Sequence, residues 1–348
     1  MKNYFYLVTL TFSIFILFEA CGDKTTSPVI IKEVYQTLRN EDDNVDSPAF
    51  WEGIDGENCI ISTAKSANVL IVDDAGTGKN IKRIGSKGET LGQLSRPNGI
   101  SVADDFVFVV ERDNHRVQVF NLPEFESLGT FGDSLLIKPY GIFVYKTNEN
   151  NYSVFVTDNY ENGNDIVPPD NELNKRVQKY LVNIKNAKMK VSFEKYFGET
   201  SGNGILRIVE SIYGDTANNV LLIAEEDTSR SSVKVYNLNG NYSGKDFGSD
   251  IFKGQVEGIS LYDDGKGGGF WIITDQSKKH NLFNIFDRKT FKYLASFMGP
   301  NTFNTDGIWI TNKSFGNFSK GAFFAVNNDG NVSAFDLKEI INLLPSKE

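Results

Sequence analysis

The chain has 348 residues with a formal net charge of −9; 40% of them are hydrophobic and 13% aromatic. That apolar content excludes wholesale disorder, and the acidic balance argues against nucleic acid as a partner. Its 31 glycines against 9 prolines, with 27 Phe and 14 Tyr, favour many strands joined by glycine-containing turns.

At the N-terminus Lys2 precedes the apolar run "YFYLVTLTFSIFILF", and "FEAC" ends on Cys21. This arrangement resembles a bacterial lipoprotein signal. It implies that residues 1–20 are removed, that Cys21 becomes a lipidated N-terminus in the bacterial cell envelope, and that 21–28 form a linker. The run is short for a membrane span, and no basic cluster follows it. Cys59 is then the remaining thiol, so an intramolecular disulfide is impossible. Its setting in "CIIST" predicts a buried, inert side chain.

From there one phrase recurs. The fragment "PAFW…IISTAK…NVLIVDD…IKRIG" is the first copy. Later copies open on "NGISV", "YGIFVY", "VESIYGD", "VEGISLY" and "DGIWIT", followed by apolar runs with polar ends: "FVFVVERDN", "SVFVTDN", "VLLIAEED", "FWIITDQS" and "FFAVNND". An alternating third run and a Gly-ended fourth close most copies. Gly99, Gly141, Gly258 and Gly307 mark four of them, with neighbouring intervals of about 42 to 49 residues, the length of a four-stranded propeller blade. The expected fold is therefore all-β: a six-bladed β-propeller over residues 29–348, its ring closed by an N-terminal strand within Val29 to Leu38. Two separate sandwiches would fit the strand count but not the period. "NYENGNDIVPPDNELNKR" reads as a surface loop in the third blade, and "LKEIINLLPSKE" as a terminal helix.

In a propeller, residues at the same end of the same strand in every blade converge around a central channel. Glu210, Glu226 and Glu257 fall at such places, and Asp306 opens the sixth copy. Carboxylates sharing a cavity repel unless a cation offsets them, and calcium, which takes oxygen ligands in loose geometry, suits such a set. The plainer role for any one of these acids is to cap a turn through backbone hydrogen bonds. Elsewhere the chemistry is sparse. His115 reads as a turn residue and His280 as solvated, neither with a His or Cys partner nearby. "GTGK" lacks P-loop spacing and reads as a hairpin turn; "DDGKGGG" is a Gly-rich turn. "NEDDNVD" reads as a solvated linker, and Trp51, Trp271 and Trp309 as blade packing.

The segment "VEGISLYDDGKGGGFWIITDQSKKHNLFNIFDR" resembles the β-propeller phytases, whose fifth blade carries an Asp-x-Glu-Gly strand, a "DGKG" turn, a strand ending in Gln and a "YDR"-type element. The similarity runs on through "NTDGIWIT" and "GAFFAVNNDG", and back through "VLLIAEED" and "DSPAFW…TAKSANVLIV". The second blade, "RIGSKGETLGQLSRPNGISVADDFVFVVERDNHRVQVFN", instead looks like an NHL repeat. The phytase resemblance implies a calcium-dependent hydrolase of a phytate-like phosphate monoester, with ions that bind both substrate phosphate and an attacking water; the chain is expected to be a monomer. The resemblance matches Glu210, Glu226 and Glu257 to calcium-site acids, Tyr140 to a tyrosine that joins them, Lys65 and Arg112 to phosphate-holding groups, and Gln276 to a polar substrate contact; either Asp306 stands in for lost acids or the family's second calcium is missing.

This chain also departs from that family's pattern. Gln255 replaces an Asp, Ala64-Lys65 stands where the family has two lysines, Ser47 replaces the second acid of an Asp-Asp-Pro, and "GPNTFN" is a shortened loop without a carboxylate. These losses keep open a second expectation, a non-catalytic NHL-like binding propeller of the envelope.

Overall fold

Each copy of the repeat folds as an antiparallel sheet, because its apolar runs are too short for helices and alternate toward two neighbours. The computed structural model describes residues 28–163, 166–278 and 281–344; the expected signal segment, Cys21 and His280 lie outside them. Blade 1 comprises Val45–Glu52, Asn58–Ala64, Val69–Asp74 and Asn80–Ile84, and blade 2 Pro97–Ala103, Phe106–Glu111, Arg116–Asn121 and Ser127–Phe131. Blade 3 comprises Pro139–Asn148, Asn151–Asp158, Val177–Lys185 and Lys188–Phe197, and blade 4 Ile212–Asp215, Val220–Glu225, Ser232–Tyr236 and Tyr242–Phe247. Blade 5 is built from Gln255–Asp263, Gly269–Gln276, Leu282–Asp287 and Tyr293–Met298. Blade 6 has only three strands of its own, Ile308–Thr311, Ala322–Asn327 and Asn331–Asp336.

The N-terminal segment supplies the missing strand. Tyr35–Gln36 pairs antiparallel with Asn331–Asp336, closing the ring as expected. The segment holds a second piece that was not anticipated. Val29–Ile30 adds in parallel to the outer edge of blade 5, Val29 lying opposite Phe297. One short stretch thus covers the outer edges of two adjacent blades.

Among the described residues there are six cores, each between two blades rather than within one. Phe108, Val119, Tyr152 and Val154 pack blade 2 on blade 3, and Phe50, Ile60, Phe324 and Ala334 pack blade 1 on blade 6. This is the physical content of the repeat: a single twisted sheet has no partner for its faces until its neighbour is present. Trp51 and Trp271 are buried in these junctions, as their strand positions predicted.

Polar clamps reinforce the junctions. Arg288, from the "FDR" run, forks onto Asp215 of blade 4 with Nε–Oδ2 and Nη2–Oδ1 contacts of 2.6 and 2.7 Å. It also reaches Asp263 at 2.8 Å and the Gly268 carbonyl at 2.9 Å, which fixes the "DDGKGGG" turn. Both members of the pair are essentially solvent-free. Arg288→Met strands a buried carboxylate, so it should cost about 3–5 kcal/mol in chemical denaturation, whereas Arg288→Met with Asp215→Leu should cost far less.

Two local expectations need correction. "NEDDNVD" is no solvated linker: Asp43 is buried in the short helical turn Glu41–Asp43 and pairs with Arg83 at 2.6 Å. The terminal helix spans only Leu337–Ile341, capped by Asp336 accepting from the Lys338 amide. "GTGK" does form a hairpin turn, between the third and fourth strands of blade 1. Among the described residues no helix is long and apolar enough to cross a membrane.

Candidate metal site at the channel mouth

The innermost strands share a defect that makes the site. In blade 1 the pairing passes from Val45↔Ala64 to Pro48↔Ser62, so Asp46 and Ser47 together face one residue. The same extra residue occurs at Asn98-Gly99, Tyr140-Gly141 and Glu257-Gly258. Such bulges re-aim side chains that a regular ladder would send elsewhere. In blades 4 and 6 the strand starts late, and Glu210-Ser211 and Asp306-Gly307 occupy the corresponding place just before it.

Asp46, Tyr140, Glu210, Glu257 and Asp306 consequently line one end of the channel. Beneath them lie Pro48, Ile100, Ile142, Ile212, Ile259 and Ile308, an apolar collar from all six blades. The small residue after each polar one lets the inner strands approach closely. A Cβ on Gly99 would lie 2.4 Å from the Tyr140 carbonyl oxygen.

In blades 2 to 6 the second strands end on a pair of polar residues with divided roles, and in blade 1 Ala64 stands before Lys65. The first of each pair caps the loop entering its own blade. Asp158 accepts from the Ile137 and Lys138 amides, Glu225 from Arg207 and Ile208, and Asp275 from Lys253 and Gly254. For these acids the capping role is the right one. The second of each pair is Lys65, Arg112, Glu226 or Gln276 at the sites of interest, and three of these, all but Arg112, turn into the channel mouth. Arg176, wholly buried at the end of the blade 3 insert, grips the carbonyls of Leu206 and Arg207 at 3.2 and 2.5 Å. With Glu225 it holds the segment that leads into Glu210.

Glu210, Glu226 and Glu257 come together as expected, each offering an oxygen within 4.8 Å of the others. Glu226 and Glu257 are buried, and Glu226 Oε1 has no hydrogen-bond partner. Burial first, and neighbouring carboxylates second, push the Glu226 and Glu257 pKa values well above the ordinary range. Glu210 is pushed up to about 8 by burial and then by Asp46 and Asp306, although a Tyr140 hydrogen bond works in the other direction. An all-oxygen set of this kind suits a hard cation such as calcium.

Asp306 lies in the same mouth but in different company. Lys65 Nζ sits 2.8 Å from Asp46 and 3.2 Å from Asp306, and Gln276 donates to the other Asp306 oxygen. Burial disfavours the Lys65 ammonium, yet the two carboxylates outweigh it and raise its pKa. Arg112 is not with this group. Its Nε pairs with Asp113 at 3.0 Å, and it lines a surface cleft with His115, Lys138 and Glu161. His115, at φ +53°, bonds through Nδ1 to the Ile137 carbonyl, a turn residue as read from the sequence. Trp309 differs from the other tryptophans in lining the channel, edge-on to Tyr213.

Asp46 and Asn98 were missed as ring members. Asn98 is buried with both amide atoms unpartnered. The signal was present: a polar residue, then Gly or Ser, then Ile or Pro, recurs in all six copies, and aligning it picks out both.

Six sheets round a channel with a polar mouth define the chain as a six-bladed β-propeller. Within it, residues 94–120 match the NHL repeat, as the second copy suggested. No curated protein matches the chain. Among solved structures it is similar in fold to Kuenenia stuttgartiensis hydrazine synthase, at a TM-score of 0.52 and 13% identity over 89% of this chain and 82% of that one.

Proposed function

We propose that this propeller is a calcium-dependent phosphate-monoester hydrolase, resembling the β-propeller phytases and acting on a phytate-like substrate at the bacterial envelope, where a lipid on Cys21 anchors it. The observation that carries this reading is the three-glutamate cluster with its unpartnered Glu226 oxygen. Buried like charges without a counter-ion are costly, and an ion would relieve that cost. Glu210, Glu226 and Glu257 would hold it, with Tyr140 fixing Glu210. A bound calcium would supply positive charge that polarises a phosphoryl oxygen and acidifies water. Lys65 spends two of its three N–H donors on Asp46 and Asp306, which leaves one for an incoming phosphate. Arg112 would have to swing from Asp113 to clamp a phosphate from the neighbouring blade. Gln276 would orient Asp306.

The test is release of inorganic phosphate from calcium-phytate by the purified full chain, with and without chelator. Chelator-sensitive release that falls at least about a hundredfold in Glu226→Gln is expected; no release at high protein concentration would sink the hydrolase.

One observation favours the second reading, a non-catalytic binding propeller: both expected phosphate-holding cations are already engaged by carboxylates. Under it, calcium still binds the three glutamates, and phytate is bound or ignored but never cleaved.

A further inference from the structure

Among the described residues five carboxylates crowd the channel mouth, and they divide into two groups with different chemistry. Glu210, Glu226 and Glu257 each offer an oxygen within 4.8 Å of the others, none of them forms a salt bridge among the described residues, and the buried Glu226 Oε1 has no hydrogen-bond partner. Asp46 and Asp306, from the inner strands of blades 1 and 6, are bridged by Lys65 Nζ at 2.8 and 3.2 Å. Lys65 is itself buried, and Gln276 satisfies the remaining Asp306 oxygen. A calcium ion bound by Asp46 and Asp306 would need carboxylate oxygens at about 2.3–2.6 Å and six or more ligands. It would therefore claim the position of the ammonium, and the two cannot coexist.

We infer that Lys65 is a tethered counter-ion occupying what would otherwise be a second divalent-cation site, so that this channel takes one divalent ion, at the three glutamates, and not two. The inference rests on the cation site of the preceding reading but not on hydrolysis. Lys65 reaches Asp46 and Asp306 from the end of the second strand of blade 1, next to the seam with blade 6. The ammonium therefore bridges two blades where an exchangeable ion would otherwise be required to hold them. Its consequence is that the Asp46–Asp306 side of the mouth is insensitive to chelation, while the glutamate side is not.

Calcium stoichiometry decides the matter. Isothermal titration of the chelator-treated full chain is counted relative to the triple variant Glu210→Gln, Glu226→Gln, Glu257→Gln, which removes background from surface acids. The wild type should bind one additional ion, and Asp306→Asn should still bind one, with affinity lowered only by the loss of a neighbouring charge. Lys65→Met should bind two, the second being lost again when Asp306→Asn is added. Two channel ions in the wild type, no channel ion in Asp306→Asn, or a folded Lys65→Met that still takes one would each overturn the inference. Should Lys65→Met fail to fold, the wild-type count and Asp306→Asn remain decisive. No channel ion in the wild type would instead overturn the three-glutamate site, an outcome distinct from a second ion. Loss of hydrolysis with one ion retained would leave this inference standing.

Discussion

Calcium is expected to raise the unfolding temperature of the chelator-treated protein substantially at pH 8 and far less at pH 5. The sign follows from the carboxyls at the channel mouth. Their folded pKa values are raised: Glu210 to about 8, Asp306 to about 7, and Glu226 and Glu257 well above the usual range. Burial is the first cause in each case. Below the ordinary carboxyl pKa both the folded and unfolded chains are protonated, and these groups contribute nothing to pH dependence. As pH rises, the unfolded chain releases its protons first while the folded chain still holds them. The cation-free protein therefore loses stability from about pH 4.5 up through about pH 8. An ion substitutes for those protons, so it binds most strongly where the loss is greatest. At a hundredfold excess over Kd it adds about 2.7 kcal/mol, on the order of 5 °C for a chain of this size. Glu257→Gln removes a ligand together with a source of repulsion. It should make the cation-free protein more stable at pH 8 and abolish most of the calcium shift. Scanning calorimetry at both pH values, with calcium or chelator, checks this; an undiminished shift in Glu257→Gln would put the ion elsewhere.

The architecture was legible because it is repetitive. Polar-small-apolar starts and polar-ended apolar runs recur at blade spacing, and the structure returns six sheets in that order. Closure of blade 6 by the N-terminal segment followed from counting strands, whereas the added parallel pair at Val29–Ile30 did not, because two residues carry no periodicity. The glutamate cluster was legible for the same reason as the ring. Lateral partnerships were not. In "EED", Glu225 and Glu226 are chemically alike, yet one caps the Arg207 and Ile208 amides while the other faces the channel. Strand alternation separates them only once register is known. Asp43–Arg83 and Asp215–Arg288 join residues 40 and 73 positions apart, and nothing in the local pattern pairs them. Arg112 holds the same place in blade 2 as Lys65 in blade 1, but the adjacent Asp113 gives its guanidinium a nearer partner than the channel.

Gly141→Ala should impair folding and ion binding together, although it adds one methyl group and touches no ligand side chain. Gly141 is the second residue of the blade 3 bulge, and its Cβ would stand 1.9 Å from the carbonyl oxygen of Glu210 and 3.3 Å from Thr157 Oγ1. The conflict is with backbone, so no rotamer change relieves it. Thr157 Oγ1 accepts from the Gly141 amide at 2.8 Å and donates to that same Glu210 carbonyl at 3.0 Å, tying the inner edges of blades 3 and 4 through one hydroxyl. Separating them breaks this bridge and shifts the residue that offers an oxygen to the cation. Overpacking of this kind costs about 1–3 kcal/mol and more where backbone must move, or a fall in Tm of at least about 2–6 °C. Calcium affinity should drop at least about tenfold, which corresponds to 1.4 kcal/mol of lost binding. Gly163→Ala is the control: it is exposed, has open space around the added methyl, and should change neither quantity. Thr157→Val separates the two causes, since it deletes the hydroxyl bridge at nearly constant volume. If steric contact dominates, Gly141→Ala must be the more damaging of the two. Equal stability and unchanged calcium affinity in Gly141→Ala would mean that the inner strands are not packed tightly enough to position Glu210.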